Sequence, residues 1–314
     1  MGKLAFIFPG QGSQVVGMGK QLADTYDKVG KIFEQADERL NIPLSSLIFN
    51  GPQETLTRTV NAQPALLTTS IAILEKFKEA SITPDYVAGH SLGEYTALVA
   101  AGSLRFEDAV YVVRKRGEFM EEAVPQGQGT MAAVLGMEDD KLEEITSMIT
   151  RDGNSVQLAN INCPGQIVIS GSTEGVKLAS EQAKLQGAKR VIPLEVSGPF
   201  HSKLMEPAAK YLEAELNAIE IANATVPVIA NVTANPMVEA EEIKVKLVEQ
   251  LYSPVLWQTS VEKMLELGVD TFIEIGPGKV LSGLVKKVNR RVKTYTVNDE
   301  ESLMATLEAL KEVK

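Results

Sequence analysis

Val87-Ala88-Gly89-His90-Ser91-Leu92-Gly93-Glu94-Tyr95 is the stretch on which the reading of the whole chain turns. Pro84 stops the preceding helical pattern, and Asp85 to Ala88 then reads as a short buried strand. From Glu94 to Ala101 come good helix formers with apolar spacing, ending at Gly102. Ser91 therefore falls on a strand-to-helix turn. A serine in such a sharp turn projects its hydroxyl clear of the sheet, while glycines on either side let the two backbones approach without a Cβ clash. The turn also aims the Leu92 amide, at the helix start, towards whatever the hydroxyl attacks. A serine that merely caps a helix fits a bare Gly-x-Ser-x-Gly equally well; the strand before it and the helix after it favour a nucleophile.

Upstream, Leu4-Ala5-Phe6-Ile7-Phe8 reads as a strand buried on both faces of a parallel sheet. It runs into the glycine loop Pro9-Gly10-Gln11-Gly12-Ser13-Gln14, with a helical pattern expected from Val15. Nucleotide motifs fail here. Met18-Gly19 stands where a phosphate loop needs Lys-Ser or Lys-Thr, and Val15 occupies the third glycine position of a dinucleotide fingerprint. What remains is a loop of free amides, with Gln11 as the candidate for a second oxyanion donor. Residues 27–80 read as helical with breaks near Pro43 and Pro52, the piece from Pro64 to Lys78 covering the sheet.

Phe106 to Glu122 reads as a helix whose Ala109, Val112, Val113 and Met120 mark a buried face, with Arg116 on that face and Arg114 and Lys115 off it. A buried guanidinium without a partner costs several kcal/mol, so Arg116 should meet an anion. An internal carboxylate or a stem that snorkels to water would serve; so would a substrate carboxylate, which arginine's planar fork matches bidentately.

After the linker from Pro125 to Gly129 the pattern changes to β-α-β-β-α-β, ending near Leu194, the order of a ferredoxin-like unit. We expect an α/β chain: a large parallel-sheet domain over residues 1–127 and 196–314, with a small inserted domain over 128–195. The cleft between them is the expected binding site. A strand is expected over Val226 to Asn231 and the last clear one at Thr271 to Ile275, followed by a basic helix from Gly276.

A serine hydroxyl needs a base within hydrogen-bond reach. The chain has two histidines. His90 is adjacent to Ser91, where side chains of an extended segment point apart, so His201 is the base by elimination. No histidine follows His201, whereas in α/β-hydrolases the histidine comes late, after the acid, so an ordinary esterase is disfavoured. No acid stands out as the orienting third member, and a backbone carbonyl could take its place.

Composition is that of an ordinary globular protein, 314 residues with a formal charge of −10. That balance disfavours nucleic-acid coating. One cysteine, Cys163, excludes internal disulfides, and two histidines make a zinc site a poor expectation. No long apolar span or leader is evident, so a cytoplasmic location without membrane contact is expected. Gly276 to Asn298 carries no acid but includes Lys286, Lys287, Arg290 and Arg291, a local basic surface suited to an acidic partner or ligand phosphates.

Phe8-Pro9-Gly10-Gln11-Gly12-Ser13-Gln14, Gly89 to Glu94, Lys115-Arg116-Gly117, Pro199-Phe200-His201-Ser202, Gln250 to Val255 and Glu274-Ile275-Gly276-Pro277-Gly278 together resemble the malonyl-CoA:acyl carrier protein transacylases of fatty acid synthesis. The resemblance spans essentially the whole chain. It implies an α/β-hydrolase-like large domain with the ferredoxin-like insert. It also implies a malonyl group passing from coenzyme A to the phosphopantetheine thiol of acyl carrier protein through an ester on Ser91. His201 would be the base, Gln11 and Leu92 the oxyanion hole, and Arg116 the clamp on the malonyl carboxylate. The Gln250 carbonyl would orient His201, and Phe200 would favour malonyl over α-methylated groups. The basic surface would meet the carrier protein or coenzyme A. No cofactor or metal is implied, and a monomer is expected. A serine hydrolase and a carrier-binding module with a relic elbow are the alternatives.

Overall fold

The computed structural model describes residues 2–125 and 127–311, so Gln126 of the expected linker lies outside the described residues. The chain opens with β1 (Lys3–Phe8), α1 (Lys20–Thr25), α2 (Asp27–Leu40), α3 (Leu44–Asn50), α4 (Gln53–Thr57) and α5 (Thr59–Phe77). Then come β2 (Tyr86–Gly89), α6 (Leu92–Ala100) and α7 (Phe106–Glu122). The middle is β3 (Gly129–Leu135), α8 (Asp139–Arg151), β4 (Val156–Cys163), β5 (Gln166–Ser172), α9 (Thr173–Leu185) and β6 (Arg190–Pro193). The remainder is α10 (Glu206–Asn217), β7 (Val228–Ile229), β8 (Pro236–Met237), α11 (Ala240–Gln250), α12 (Trp257–Glu266), β9 (Val269–Ile275), α13 (Val280–Val288), β10 (Lys293–Val297) and α14 (Glu300–Lys311).

These elements build the two-sheet α/β architecture expected from the sequence. The larger sheet has the order β10-β9-β1-β2-β7-β8, parallel except for the edge pair β7/β8. Strand alternation sends Phe6 and Phe8 into one core, with α5, α6 and α7, and Ala5 and Ile7 into a second, with α12 and α13. Helices on both faces explain why β1 is an unbroken apolar run. α5 is apolar nearly all round and is accordingly buried along most of its length. The smaller sheet, β4-β5-β3-β6, is antiparallel throughout and has its own core, in which α8 and α9 pack against one face. It is clipped to the larger half at Val255, whose N–H donates to Ala159 O at 2.8 Å and whose carbonyl accepts from Ile161 N at 2.9 Å.

Three expectations need correction. The helix expected from Val15 begins only at Lys20, because the backbone turns at Gly17 (φ 92°) and Gly19 (φ 73°). The strand expected over Val226 to Asn231 shrinks to β7, whose next residues turn back into β8. Thr271 to Ile275 is not the last strand. β10 follows it, an edge strand whose Lys293-Thr294-Tyr295-Thr296 lacks the apolar run of a buried one.

Candidate active site

β2 ends at the middle of the larger sheet and passes straight into α6. A Cβ on Gly89 would overlap the Gly93 carbonyl, and one on Gly93 would overlap the Phe8 carbonyl oxygen, so both positions need glycine. Ser91 between them has φ 51° and ψ −107°, a strained conformation for a residue with a side chain. Asn231, just past β7, holds that geometry from both sides. Its Oδ1 accepts the Ser91 N–H at 2.7 Å, and its Nδ2 donates to Gly89 O at 2.7 Å.

His201 comes to Ser91 from the chain leaving the small sheet. It is buried, and its Nε2 lies 2.8 Å from Ser91 Oγ. Its Nδ1 lies 2.8 Å from the Gln250 carbonyl, which can only accept, so Nδ1 carries the proton and Nε2 is free to accept. Burial, reinforced by the positive charge of Arg116, pushes the imidazole down to about 3, so it is neutral and able to act as a base. His90 turns away: its Nε2 is 2.8 Å from Asn162 Oδ1.

Arg116 is fully buried and reaches Ser91. Its Nη2 donates to Ser91 Oγ at 3.1 Å and to Gln250 Oε1 at 2.9 Å, and its Nη1 donates to Gln63 Oε1 at 2.7 Å. All these partners are neutral, and among the described residues no carboxylate pairs with the guanidinium. The internal salt bridge and the snorkelling stem are both ruled out for it. Arg114, two residues away, does pair with a carboxylate, Glu118.

Gln11 and Phe200 line the same cavity as Ser91 and His201, a space of about 330 Å³ that Met131 and Asn160 close from the small sheet. The Gln11 side chain donates to Thr59 Oγ1 at 3.0 Å, which holds the glycine loop beside the serine. Leu92, first residue of α6, has an N–H that no turn of its own helix can satisfy. The basic residues lie apart from this cluster. Lys286 is turned onto the carbonyls of Arg290 and Val292, and Lys287 donates to Gln166 Oε1 at 2.8 Å, leaving Arg290 and Arg291 exposed. Among the described residues no group of His, Cys, Asp and Glu could hold a metal ion.

Sequence reading missed Asn231, Gln63 and Glu94 as parts of the site. Glu94 and Gln63 carried a signal, a carboxyl and an amide on otherwise apolar helices; Asn231 carried none.

Residues 5–304 match the family model described as acyl transferase domain. The chain belongs to the acyl transferase domain family. It is 64% identical over 312 residues to the malonyl CoA-acyl carrier protein transacylase of Bacillus subtilis, covering 99% of this chain and 98% of that one. A crystal structure of an acyl carrier protein S-malonyltransferase from Vibrio cholerae superposes with a TM-score of 0.94, at 44% identity over 97% of this chain and 99% of that one. A malonyl-transacylase solved in complex with a type II PKS acyl-carrier protein gives 0.95 at 42% identity, over 98% and 99%. The resemblance drawn from six motifs is thereby borne out, and the chain is an acyltransferase.

Proposed function

We propose that this acyltransferase moves a malonyl group from coenzyme A to the phosphopantetheine thiol of acyl carrier protein, supplying fatty acid synthesis. The observation that carries this reading is Arg116, buried without a carboxylate partner and 3.1 Å from Ser91 Oγ. A guanidinium desolvated beside a nucleophile and left with only neutral partners suits an acyl group that brings its own anion. The relatives' names, and the neighbour solved with an acyl-carrier protein, support donor and acceptor.

In the first half-reaction His201 Nε2 takes the Ser91 proton as Oγ attacks the thioester carbonyl. The tetrahedral oxyanion is held by the amides of Gln11 and Leu92, a type of contact worth about 10²- to 10³-fold in rate for each donor. Collapse breaks the carbon–sulfur bond, and His201 returns the proton to the departing sulfur. The carrier's thiol then repeats the cycle in reverse. The Gln250 carbonyl keeps the imidazole in the right tautomer, the task an acid performs in a triad. Phe200 narrows the pocket against α-branched acyl groups. The path calls for no metal or cofactor, and one copy of the chain suffices for it. Exposed Lys287, Arg290 and Arg291 would face the acidic partner.

The same reading takes the larger sheet with its helices as an α/β-hydrolase-like domain, residues 1–127 and 196–314. Residues 128–195 form a ferredoxin-like insert, which the β4-β5-β3-β6 order supports. Among the described residues no helix is long and apolar enough to cross a membrane.

Arg116→Ala should lower malonyl loading of Ser91 by about 10- to 100-fold, the loss expected for a charge-assisted bidentate contact, with acetyl loading little changed. Intact mass after brief mixing with each acyl-CoA reads both. Equal loss of the two would remove the clamp, and rapid release of the acyl group to water would favour a hydrolase.

A further inference from the structure

Two glutamates are buried at the ends of parallel strands, and their oxygens are used differently. Glu274 gives both to the start of α13, accepting Leu281 N at 3.0 Å and Ser282 N at 2.7 Å. Glu94, on the first turn of α6, gives only one. Its Oε2 accepts Asn231 N at 3.0 Å and Gln250 Nε2 at 2.9 Å, while Oε1 has no partner.

Gln250 links this carboxyl to the clamp. Its amide nitrogen donates to Glu94, and its amide oxygen accepts Arg116 Nη2 at 2.9 Å. Arginine only donates, so the amide cannot flip without losing both contacts. A carboxyl and a guanidinium are thus buried one neutral amide apart, without an ion pair.

We infer that Glu94 is a specificity-determining residue: its carboxylate balances Arg116 while the pocket is empty, and it takes up a proton when an acyl group carrying its own carboxylate enters. This rests on the reading of Arg116 as the clamp. With Glu94 ionised, the empty cluster is neutral. Adding a malonyl carboxylate would leave a net negative charge out of water, which like-charge repulsion and desolvation both oppose. Protonating Glu94 restores neutrality. An acetyl group makes no such demand.

Its surroundings allow this. Burial, opposed by its bonds to Asn231 and Gln250 and then by Arg116, raises Glu94 to about 7. Helices α5 and α7 and strands β1, β2 and β7 pack against α6. Of their charged groups, Arg116 on α7 is the one that acts on Glu94. Tyr95 on α6 feels both charges but is held well above its usual range by burial, so it stays protonated. His201 is neutral down to about 3, and burial lowers His90 as well. Glu94 is therefore the group in the cluster that changes charge near neutral pH.

Loading itself is proton-balanced. The Oγ–acyl bond forms, the carbon–sulfur bond breaks, and the Ser91 proton leaves on the sulfur of a thiol that stays protonated below about pH 8. Any proton drawn from solvent is therefore extra. At pH 7, mixing the intact protein with malonyl-CoA in weak buffer with an indicator dye should take up as much as about half a proton per Ser91 loaded, and acetyl-CoA none. The ratio of malonyl to acetyl loading should be flat below pH 7 and fall by up to about tenfold per unit above it. Glu94→Gln keeps an acceptor for Asn231 and Gln250 but cannot titrate, so its ratio should not vary with pH. Equal uptake with both donors, no uptake with malonyl-CoA, or a native pH profile in Glu94→Gln would overturn the inference. Should that variant not fold, uptake by the native protein decides. If Arg116→Ala loses its malonyl preference while uptake is absent, the clamp stands and only the role of Glu94 fails. If the preference survives Arg116→Ala, the clamp itself fails.

Discussion

The turn from β2 into α6 and the turn from β9 into α13 lie at the same end of the larger sheet, with β1 between their strands. Both are glycine-flanked, and both place a buried glutamate beside a helix N-terminus. In the second, the unusual backbone angles fall on Gly276 (φ 136°) and Gly278 (φ 84°), where they cost little. In the first, the strain falls on Ser91, which has a side chain to present. Asn231 and the Gln250 amide, which donates to Ser91 O at 3.0 Å, hold it there. The β9 turn ends in a capped helix with cations on its surface, while the β2 turn ends in a serine held against His201 and Arg116. The difference lies in where strain is tolerated, and it appears only once Asn231 and Gln250 are in place.

Several changes would break or sharpen that contrast. Ser91→Ala should lower turnover by about 10³-fold or more, with no malonyl adduct by intact mass and a near-native melting curve. A large loss of stability instead would mean that the serine is as structural as Gly276.

Gly276→Ala should do the reverse. A Cβ there would overlap Ser70 Oγ and sit 2.8 Å from Pro9 Cδ, at a φ that disfavours any side chain. A loss of about 1–3 kcal/mol in denaturant unfolding is expected, with malonyl loading per folded molecule retained.

Stability against pH probes the β2 side. His201, lowered from 6.5 to about 3, stabilises the fold above pH 6.5, and that contribution is lost as pH falls towards 3. Glu94, raised from 4.5 to about 7, stabilises it below pH 4.5, and that contribution is lost as pH rises towards 7. From 4.5 to 6.5 the two oppose each other. Glu94→Gln should therefore uncover a decline of on the order of 1.4 kcal/mol per pH unit, beginning near pH 6.5 rather than 4.5. Urea midpoints across that range would show it, and coincident profiles for the two proteins would refute it.

The smallest effect should come from the β9 side. Reversing the charge of Lys287, Arg290 or Arg291 should slow transfer to the carrier by a few-fold each, more at low salt, and spare hydrolysis of a small thioester. Equal responses in the two assays would detach this surface from function.

Much of the elbow was legible beforehand because its constraints are local. Strand, turn and helix follow from neighbours in sequence, and the burial of Arg116 follows from the spacing of Ala109, Val112, Val113 and Met120. His201 needed elimination, since it lies 110 residues from the serine it meets. Asn231 was illegible because its role depends on where β7 lies beside β2, a tertiary fact. β10 was missed because an edge strand does not have to be apolar. Lys286 was read as surface charge, although folding turns its ammonium back onto the carbonyls beyond its own helix.

Val255, which clips β4 to the larger half, lies only five residues beyond Gln250, and Gln157 on β4 donates to the backbone carbonyls of His201 and Tyr252 at 3.3 and 3.4 Å. The small sheet and the imidazole support are thus tied to one another by hydrogen bonds to a single short stretch of chain. Swinging that sheet outwards would pull His201 and Ser91 apart, so the 2.8 Å contact between them requires the two halves to stay closed.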